Sequence, residues 1–465
     1  MKPDQDQEIA AKYIDNHSLI IAGAGTGKTT TLLYKIEYLI KKGIKENEIL
    51  VISFTNETVN NFINKCKYKV DVYTFHKLAN IIINSNKDIV GQEILEDCIR
   101  TYFKNIPKKL KQKLCHSFCY SIFTKKYYLK RVDVYDDMSL STYFYQIIKQ
   151  VKANNISINN LNISQFTKNE QIAIYCIKNI IEYYNQTLNV NNFIDFDQLI
   201  TEATSYINNG LYTSNYKYIL VDEYQDISKV RLDFLKSLIN NNNAILTAVG
   251  DDFQSIYGFN GSNINLFYNF QKHFENSKIF YIKTTYRCPK KIIKKAGEFI
   301  MKNPYQIKKE IISKSKIKGR IIKIRSTSYK RDLIRLIKKY RKTNFSVLIL
   351  SRNGFDINFY KKKKNNIENS YIVYKNKTIK NIRFLTIHKS KGLEADIVIV
   401  LNMAGGYNGF PGKTNTKLIN KILSYNEEYK DAEERRLFYV ALTRAKIKTY
   451  LIIDKNAPSD FISEI

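Results

Sequence analysis

No feature constrains the fold of this chain more than a glycine-rich run between an apolar segment and an amphipathic one. The run reads Ala22-Gly23-Ala24-Gly25-Thr26-Gly27-Lys28-Thr29-Thr30, and it lies between Leu19–Ile21 and Leu32–Ile40. The flanking patterns predict a strand and a helix. Glycines at such a junction let backbone N–H groups surround phosphates at the start of the helix. Although Ala22 replaces the first glycine of the usual pattern, the context predicts a nucleotide-binding loop in an α/β fold.

Two side chains of this loop suit the phosphates of a nucleotide. In loops of this kind a lysine reaches the β- and γ-phosphates, and the next hydroxyl residue holds Mg²⁺. Lys28 and Thr29 occupy those two positions. We therefore expect ATP and Mg²⁺ to bind here.

A pair of carboxylates follows a second apolar run. Tyr218–Val221 predicts a buried strand, and Asp222 and Glu223 come directly after it. At such a strand end an aspartate can bind Mg²⁺ and a glutamate can activate the attacking water. The two carboxylates could instead cap the next helix, but a phosphate-binding loop in the same chain favours the catalytic interpretation.

Apolar β-type runs recur along the chain, each followed by a helical pattern, which predicts parallel α/β sheets. They form two sets separated near Phe270, and we expect two lobes. The first set is Leu19–Ile21, Ile49–Ser53, Tyr218–Val221 and Ile245–Val249. The second set is Lys278–Ile282, Val347–Leu350, Arg383–Thr386, Ile397–Leu401 and Tyr450–Ile453. Between His76 and Asn191 the strand pattern fades, which predicts a helical insertion into the first lobe.

The charge of the chain indicates the kind of partner it binds. Its 465 residues include 75 Lys and Arg against 43 Asp and Glu, a formal net charge of +32. Nucleic acid is the commonest polyanionic partner of such proteins. A coding bias toward Lys, Asn, Ile and Tyr would explain some of the lysines but not the shortage of acidic residues.

No apolar run reaches membrane-spanning length, and six scattered cysteines indicate reduced thiols. We therefore expect a cytoplasmic protein without a membrane partner.

Three longer segments resemble motifs II, III and VI of UvrD/Rep-type helicases of superfamily 1. They are Val221-Asp222-Glu223-Tyr224-Gln225-Asp226, Val249–Gly258 and Glu433–Ala445. Shorter segments resemble motifs Ia, Ib, IV and V in the same order: Phe54-Thr55-Asn56, Thr74-Phe75-His76, Thr285-Tyr286-Arg287 and Thr386–Glu394. Within the group, Thr284–Arg287 and Gly409-Phe410-Pro411 look most similar to the helicase IV branch. The series spans nearly the whole chain and is very specific.

The resemblance implies roles around the base and ribose of ATP. Gln5, or alternatively Gln7, is similar to the glutamine that reads adenine, since an amide can pair with both a donor and an acceptor. Tyr286 resembles the aromatic residue that stacks on adenine, and Glu394 resembles the residue that contacts the ribose.

The resemblance also implies residues that act on the γ-phosphate. Gln254 is similar to the residue that senses it, while Arg287 and Arg444 resemble two arginines that reach it from the second lobe. A guanidinium there stabilises transition-state charge only when the lobes close, which links hydrolysis to movement. The implied catalytic set is Lys28, Asp222, Glu223, Gln254, Arg287 and Arg444.

A further set matches positions that contact DNA in the family. Aromatic residues there stack on successive bases, while hydroxyl and amide groups hold phosphates. Arg352, after the strand Val347–Leu350, is expected to touch the DNA backbone. The other implied contacts are Phe54, Thr55, Asn56, Thr74, Phe75, His76, Tyr257, Phe259, Thr386 and His388. Core packing is the alternative for every aromatic residue, because the chain has 35 Tyr and 25 Phe.

The resemblance implies two RecA-like P-loop NTPase lobes with ATP between them. We expect lobe 1 at residues 1–76 and 193–270, the helical insertion at 77–192, and lobe 2 at 271–465. Only Asn353–Asn381 separates the segment around Arg352 from motif V. UvrD and Rep carry a helical subdomain, called 2B, at that point, and we expect it to be absent here.

These features predict an ATP-dependent 3′→5′ DNA helicase that moves along single-stranded DNA and acts on tailed duplexes in DNA repair, recombination or replication. One alternative is a translocase that serves as the motor of a repair or phage-defence complex and needs a protein partner to unwind. Another is an accessory ATPase that displaces RNA polymerase. Both the 3′→5′ polarity and the preference for DNA are implied by the resemblance alone.

Overall fold

The computed structural model describes residues 2–119, 132–361, 365–406, 409–412, 417–423 and 429–465. The strands, β1–β17 in chain order, are Ser18–Ala22, Ile49–Ser53, Asp71–Thr74, Asp88–Val90, Phe193–Asp195, Tyr218–Val221, Ile245–Gly250, Lys278–Ile282, Thr284–Thr285, Ile312–Ser313, Arg320–Ser326, Val347–Ser351, Asn366–Glu368, Tyr371–Tyr374, Lys377–Thr386, Ala395–Met403 and Ala445–Asp454. The α-helices, α1–α16, are Gln5–Lys12, Lys28–Lys41, Asn56–Ile63, Phe75–Ile83, Gln92–Asn105, Lys108–Leu114, Val132–Ala153, Lys168–Val190, Phe196–Asn208, Lys229–Asn242, Ile264–Tyr268, Phe270–His273, Lys290–Ile300, Tyr329–Tyr340, Lys417–Leu423 and Ala432–Thr443.

The first sheet has six parallel strands in the order β3-β2-β6-β7-β1-β8. Every residue of β1, β2 and β6 is buried, as expected for strands covered on both faces. Because parallel strands share one carboxyl edge, the glycine loop after β1 and the carboxylates after β6 emerge side by side. The prediction of an α/β fold with parallel sheets is confirmed.

The assignment of Lys278–Ile282 to the second lobe is wrong. This strand, β8, pairs with β1 from Ser18↔Lys278 to Ala22↔Ile282 and forms an edge of the first sheet. An apolar run predicts a strand but does not specify its partner, because pairing is decided by contacts far apart in sequence. The boundary at residue 270 is therefore too early, and the first lobe extends to Ile282.

The second sheet has seven strands in the order β11-β17-β16-β12-β15-β14-β13. Its first five are parallel, and β14 and β13 add an antiparallel edge. The chain passes from β12 to β15 through a short 3₁₀ turn at Gly354–Ile357 and the two short strands β13 and β14. Helices α13 and α16 contribute buried residues to the core on one face of this sheet.

The helical insertion has its own apolar core, formed chiefly by α5, α7 and α8. Its start at residue 77 is too early, because α4 belongs to the first lobe. Phe75, Leu78, Ala79 and Ile82 follow the i, i+3, i+4, i+7 spacing of one helix face, and all four lie in the core beneath the first sheet. A short helix of the second lobe, α15, also packs into the insertion through Leu418 and Ile422.

No helix in the described ranges is both long enough and apolar enough to cross a membrane. Four cysteines of the described ranges are free thiols: Cys66, Cys98, Cys176 and Cys288.

Candidate active site

The glycine loop connects β1 to the first turn of α2. Gly25 and Gly27 have φ of +72° and +85°, a left-handed conformation that favours glycine. A Cβ atom at Gly25 would lie 2.5 Å from the Cβ of Arg287, so the second lobe approaches the loop too closely for a side chain. The loop therefore presents backbone at the start of α2, the arrangement that binds phosphates.

The predicted catalytic residues of the first lobe lie together. Lys28 Nζ is 2.7 Å from Glu223 Oε2, and the Thr29 hydroxyl donates to Asp222 Oδ2 at 2.9 Å. Glu223 has φ of +55°, an uncommon conformation for a residue other than glycine. The Glu223 carboxylate contacts the glycine loop through Lys28. Hydroxyl and carboxylate oxygens are the donors that Mg²⁺ prefers, so Thr29 and Asp222 fit such an ion.

The carboxyl groups of Asp222 and Glu223 have very different pKa values. Burial and the neighbouring Glu223 raise the pKa of Asp222 to about 6. Burial would also raise the pKa of Glu223, but Lys28 and Lys391 more than offset it and lower that pKa to about 2. A metal ion at Asp222 would reverse the first shift, since a nearby cation favours the charged carboxylate.

Gln254 and Arg444 meet across the two lobes. Arg444 is 1% exposed, and its Nη2 donates to Gln254 Oε1 at 2.9 Å. The Gln254 amide nitrogen donates to Asp251 Oδ2 at 2.5 Å. Burial and the nearby Arg287 lower the pKa of Arg444 to about 10, so its guanidinium stays charged at neutral pH.

Arg287 lies beside the glycine loop but is paired with an acid. Its Nε is 2.5 Å from Glu394 Oε2, and Lys446 contacts the other Glu394 oxygen. The preceding residues hold the loop directly: Tyr286 N–H donates to the Gly25 carbonyl at 3.1 Å, and Thr285 Oγ1 donates to the Ala24 carbonyl at 2.7 Å. The structure thus brings Arg287 and Glu394 together at the cleft.

Of the two glutamines considered for adenine, the structure brings Gln7 to the loop. Gln7 is buried, and its Nε2 donates to the Thr26 carbonyl at 3.0 Å, whereas Gln5 is exposed. Tyr286 is exposed, and its hydroxyl donates to Asp4 Oδ2 at 2.9 Å. Tyr286 therefore offers an open ring face beside α1, where a base can stack.

An aromatic cluster with one exposed ring, that of Phe259, forms where the lobes meet. The Phe259 ring lies 5.1 Å from the His388 ring and 6.1 Å from the Tyr257 ring, and Tyr257 donates its hydroxyl to the His388 carbonyl at 3.2 Å. Phe259 is 44% exposed. Thr55 and Asn56 are exposed at the N-terminus of α3, and Thr386 is half-buried at the end of β15.

Phe75 does not offer a stacking surface. It is 1% exposed and packs between Phe54 and Phe234, with ring centroids 5.2 and 6.3 Å away. Its position on the core face of α4 explains this burial, so the prediction of a DNA contact is wrong for Phe75. The neighbouring Thr74 is buried and caps α4 by accepting from Lys77 N–H at 3.1 Å. His76 leaves its Nε2 buried without a hydrogen-bond partner.

Arg352 is held by the second lobe itself. Its guanidinium makes bonds of 2.8–3.0 Å to both oxygens of Glu434, and it also donates to Asn353 at 2.9 Å. A DNA phosphate would have to compete with this bidentate pair. The expected backbone contact at Arg352 therefore stays a prediction.

Other residues at the cleft received no role from the sequence. Gln225 joins the carboxylates, because its Nε2 donates to Glu223 Oε2 at 2.5 Å and its Oε1 accepts from Asp251 N–H at 2.9 Å. Lys391 of the second lobe pairs with Asp226 and donates to the Gln254 carbonyl at 2.8 Å. All of these residues lie inside the motif segments, so the motifs gave a signal for them.

The sequence matches two family models in succession. Residues 2–275 match the UvrD/REP helicase N-terminal domain, which is more than half of the chain. Residues 358–456 match the UvrD-like helicase C-terminal domain. This chain belongs to the UvrD/Rep helicase family. The resemblance drawn from the motifs is confirmed.

Relatives of the UvrD/Rep family resemble the chain at modest identity. DNA helicase IV of Escherichia coli (strain K12) is 28% identical over 96% of this chain and 67% of its own length. The ATP-dependent DNA helicase Rep of Buchnera aphidicola subsp. Acyrthosiphon pisum is 28% identical over 68% of this chain and 48% of its own length. A probable DNA helicase of Mycoplasma pneumoniae is 25% identical over 97% of this chain and 83% of its own length. The chain thus spans only about half of the Rep relative.

Proposed function

We propose that this UvrD/Rep family member hydrolyses ATP with Mg²⁺ and uses the energy to move 3′→5′ along single-stranded DNA, unwinding tailed duplexes. One observation carries the proposal. Lys28, Asp222 and Glu223 belong to the first lobe, whereas Arg444, which bonds to Gln254, belongs to the second. A hydrolytic site divided in this way is complete only when the lobes are together, so each cycle of hydrolysis can drive one cycle of movement.

The pairing of Lys28 with Glu223 suggests how ATP would activate the site. Phosphate oxygens compete for Lys28, and its departure would leave Glu223 free to accept a proton from water. Because Lys28 contributes to the low pKa of Glu223, its transfer to the phosphates would also make Glu223 a stronger base. Mg²⁺ held by Thr29 and Asp222 would neutralise phosphate charge.

Arg287 and Arg444 would act on the charge that develops on the γ-phosphate. The Arg444 guanidinium already faces the cleft, because it donates to the Gln254 side chain and, at 3.3 Å, to the Leu393 carbonyl. Arg287 would exchange its bond with Glu394 for the phosphate, while Lys446 remains to pair with Glu394. Loss of the phosphate would release both arginines and let the lobes separate.

The aromatic cluster of Tyr257, Phe259 and His388 would form part of the DNA track. Tyr257 and Phe259 follow Gln254 closely in the first lobe, and His388 lies near Lys391 in the second. A change at the γ-phosphate therefore reaches the track through a few residues. Stacking does not depend on base identity, which suits a motor that must step over any sequence.

A translocase that needs a protein partner to unwind is the second candidate. The passage between β12 and β15 holds only a 3₁₀ turn and two short strands among its described residues. We propose that the 2B subdomain is missing there and that the chain is built from two lobes and the helical insertion.

The test is the rate of ATP hydrolysis with single-stranded DNA, single-stranded RNA or no nucleic acid, followed by unwinding of 3′-tailed and 5′-tailed duplexes. We expect stimulation by DNA and unwinding of the 3′-tailed duplex. Lys28→Ala and Glu223→Gln should each lower kcat by about 100-fold or more, because positioned charge and proton transfer supply rate factors of that size. Glu37→Gln, on the exposed side of α2, is the matched control.

Normal hydrolysis by Lys28→Ala would refute the proposed site. Stimulation by DNA without unwinding of either duplex would instead favour the translocase with a missing partner.

A further inference from the structure

The segment 303–314, which we call the crossing segment, leaves α13 of the second lobe and runs back along the first. The Ile307 N–H and the Gln306 side chain donate to Asp252 Oδ2 at 3.0 and 2.6 Å. Further along, the Ile311 side chain covers Gly23 of the glycine loop so closely that a Cβ there would lie 2.4 Å away. The crossing segment thus touches both the glycine loop and the residues just before Gln254.

Lys309 is the charged residue of this segment that faces inward. Its side chain is 2% exposed, its Nζ is 2.6 Å from Asp251 Oδ1, and it also pairs with Asp252. The same ammonium lies 4.0 Å above the Phe253 ring. Among the described residues no other basic side chain forms an ion pair with either carboxylate. Burial lowers the pKa of Lys309, but Asp251 and Asp252 more than offset this and raise it, so the ammonium keeps its charge.

Asp251 in turn determines which way the Gln254 amide points. An ionised carboxylate only accepts hydrogen bonds and a guanidinium only donates them. Asp251 therefore takes the amide N–H₂ of Gln254, and the amide oxygen faces Arg444. If Asp251 were protonated, its O–H could donate to the amide oxygen, and the N–H₂ would then face Arg444, which cannot accept a bond.

We propose that Lys309 is a positioning residue for ATP hydrolysis, which keeps Asp251 ionised so that the Gln254 amide oxygen faces Arg444. This inference rests on the proposed function. Lys28 of the glycine loop and Tyr439 of α16 also face Asp251, but Lys309 is the ammonium that pairs with both carboxylates. Two adjacent buried carboxylates that lose this paired ammonium cannot both stay ionised at low cost. Removal of the ammonium would therefore drive a proton onto the pair, turn the Gln254 amide and separate Gln254 from Arg444.

The experiment measures kcat and KM for ATP hydrolysis by the full chain at saturating single-stranded DNA, for Lys309→Met, Lys309→Arg and the double variant Lys309→Met/Asp252→Asn. We expect Lys309→Met to lower kcat by about 10- to 100-fold and to change KM by less than about threefold, because the lost interaction acts in the transition state. Lys309→Arg keeps the charge and should keep most of the kcat. Lys308→Met, the exposed neighbour, is the matched control.

The double variant tests the cause. Asp252→Asn removes the like charge beside Asp251 while its amide oxygen can still accept from Gln306 and Ile307. It should therefore restore at least part of the kcat lost in Lys309→Met.

A Lys309→Met protein with wild-type kcat would overturn the proposal, as would a kcat loss that neither Lys309→Arg nor the double variant relieves. If circular dichroism shows that Lys309→Met does not fold, the kcat of Lys309→Arg and of the double variant decides the question. Lys28→Ala and Glu223→Gln are measured in parallel. If they remain active, the proposed function fails. If they are inactive while Lys309→Met is normal, only the role of Lys309 fails.

Discussion

Phe75 and Phe259 show how strongly the surroundings of one ring determine its use. Both lie in segments that resemble DNA-contacting motifs. Phe75 is enclosed by Phe54, Phe234 and the helix that it begins, whereas Phe259 projects between the lobes beside His388. A ring can stack on a base only if one of its faces reaches solvent.

We therefore expect opposite effects from two alanine substitutions. Phe259→Ala should weaken single-stranded DNA binding by about 1–3 kcal/mol, or roughly 5- to 150-fold, with little change in stability. Phe75→Ala should cost about 3–5 kcal/mol of folding free energy, because it leaves a cavity in the core. Fluorescence anisotropy with a labelled oligonucleotide and urea unfolding measure the two quantities.

Phe345→Ala is the matched control, since Phe345 is exposed before β12, away from the predicted track. Unchanged DNA affinity in Phe259→Ala would remove this ring from the track.

At the scale of single elements, α15 links the second lobe to the helical insertion in two ways. Leu418 and Ile422 are buried in the core of the insertion. Lys421 Nζ also lies 2.8 Å from both oxygens of Glu170 at the start of α8. Burial of apolar side chains stabilises a contact much more than a partly exposed ion pair does. We therefore attribute the docking of α15 mainly to the two apolar residues.

This ranking predicts the result of two substitutions. Leu418→Ala should weaken the docking of α15 by about 2–5 kcal/mol, the usual cost of removing a buried leucine side chain. Lys421→Ala should weaken it by less than about 1 kcal/mol. Hydrogen exchange followed by mass spectrometry over α15 and α8 would detect the difference. Faster exchange in Lys421→Ala than in Leu418→Ala would show that the ion pair dominates.

At the scale of the whole molecule, two half-buried histidines and two buried aspartates respond to acid in opposite ways. Burial, together with nearby basic residues, lowers the pKa of His76 to about 3 and that of His388 to about 4. Burial raises the pKa of Asp222 and Asp226 to about 6 in spite of nearby lysines. The histidines bind protons mainly in the unfolded chain and the aspartates mainly in the folded one, so the two sets act in opposite directions as the pH falls.

The contribution of the histidines can be isolated by substitution. Below their unfolded pKa of about 6.5, each of these two neutral histidines should lower stability by up to about 1.4 kcal/mol per pH unit, until its folded pKa is reached. We therefore expect His76→Asn/His388→Asn to lose less stability than wild type between about pH 7 and about pH 5. Urea midpoints at both pH values provide the measurement, since a protein of several lobes need not unfold in two states. Equal losses in both proteins would contradict the assignment.

The sequence by itself determined the nucleotide-binding loop, the carboxylates after β6, the α/β class and the family. These features depend on neighbouring residues, because the glycines, Lys28 and the flanking strand and helix patterns are contiguous in the sequence. Contiguous motifs also predicted four further residues of the cleft. The structure brings these four to the same cleft: Gln254, Tyr286, Arg287 and Arg444.

Only the tertiary structure decided features that depend on contacts between distant segments. It assigned β8 to the first sheet, buried Phe75 and chose Gln7 over Gln5 for contact with the loop. It also selected Lys309, one of many lysines in the chain, as the counter-charge for Asp251 and Asp252. In the sequence, a lysine that points into the protein looks the same as a lysine that points into solvent. What distinguishes Lys309 is the path of the crossing segment between the two lobes, which no local pattern encodes.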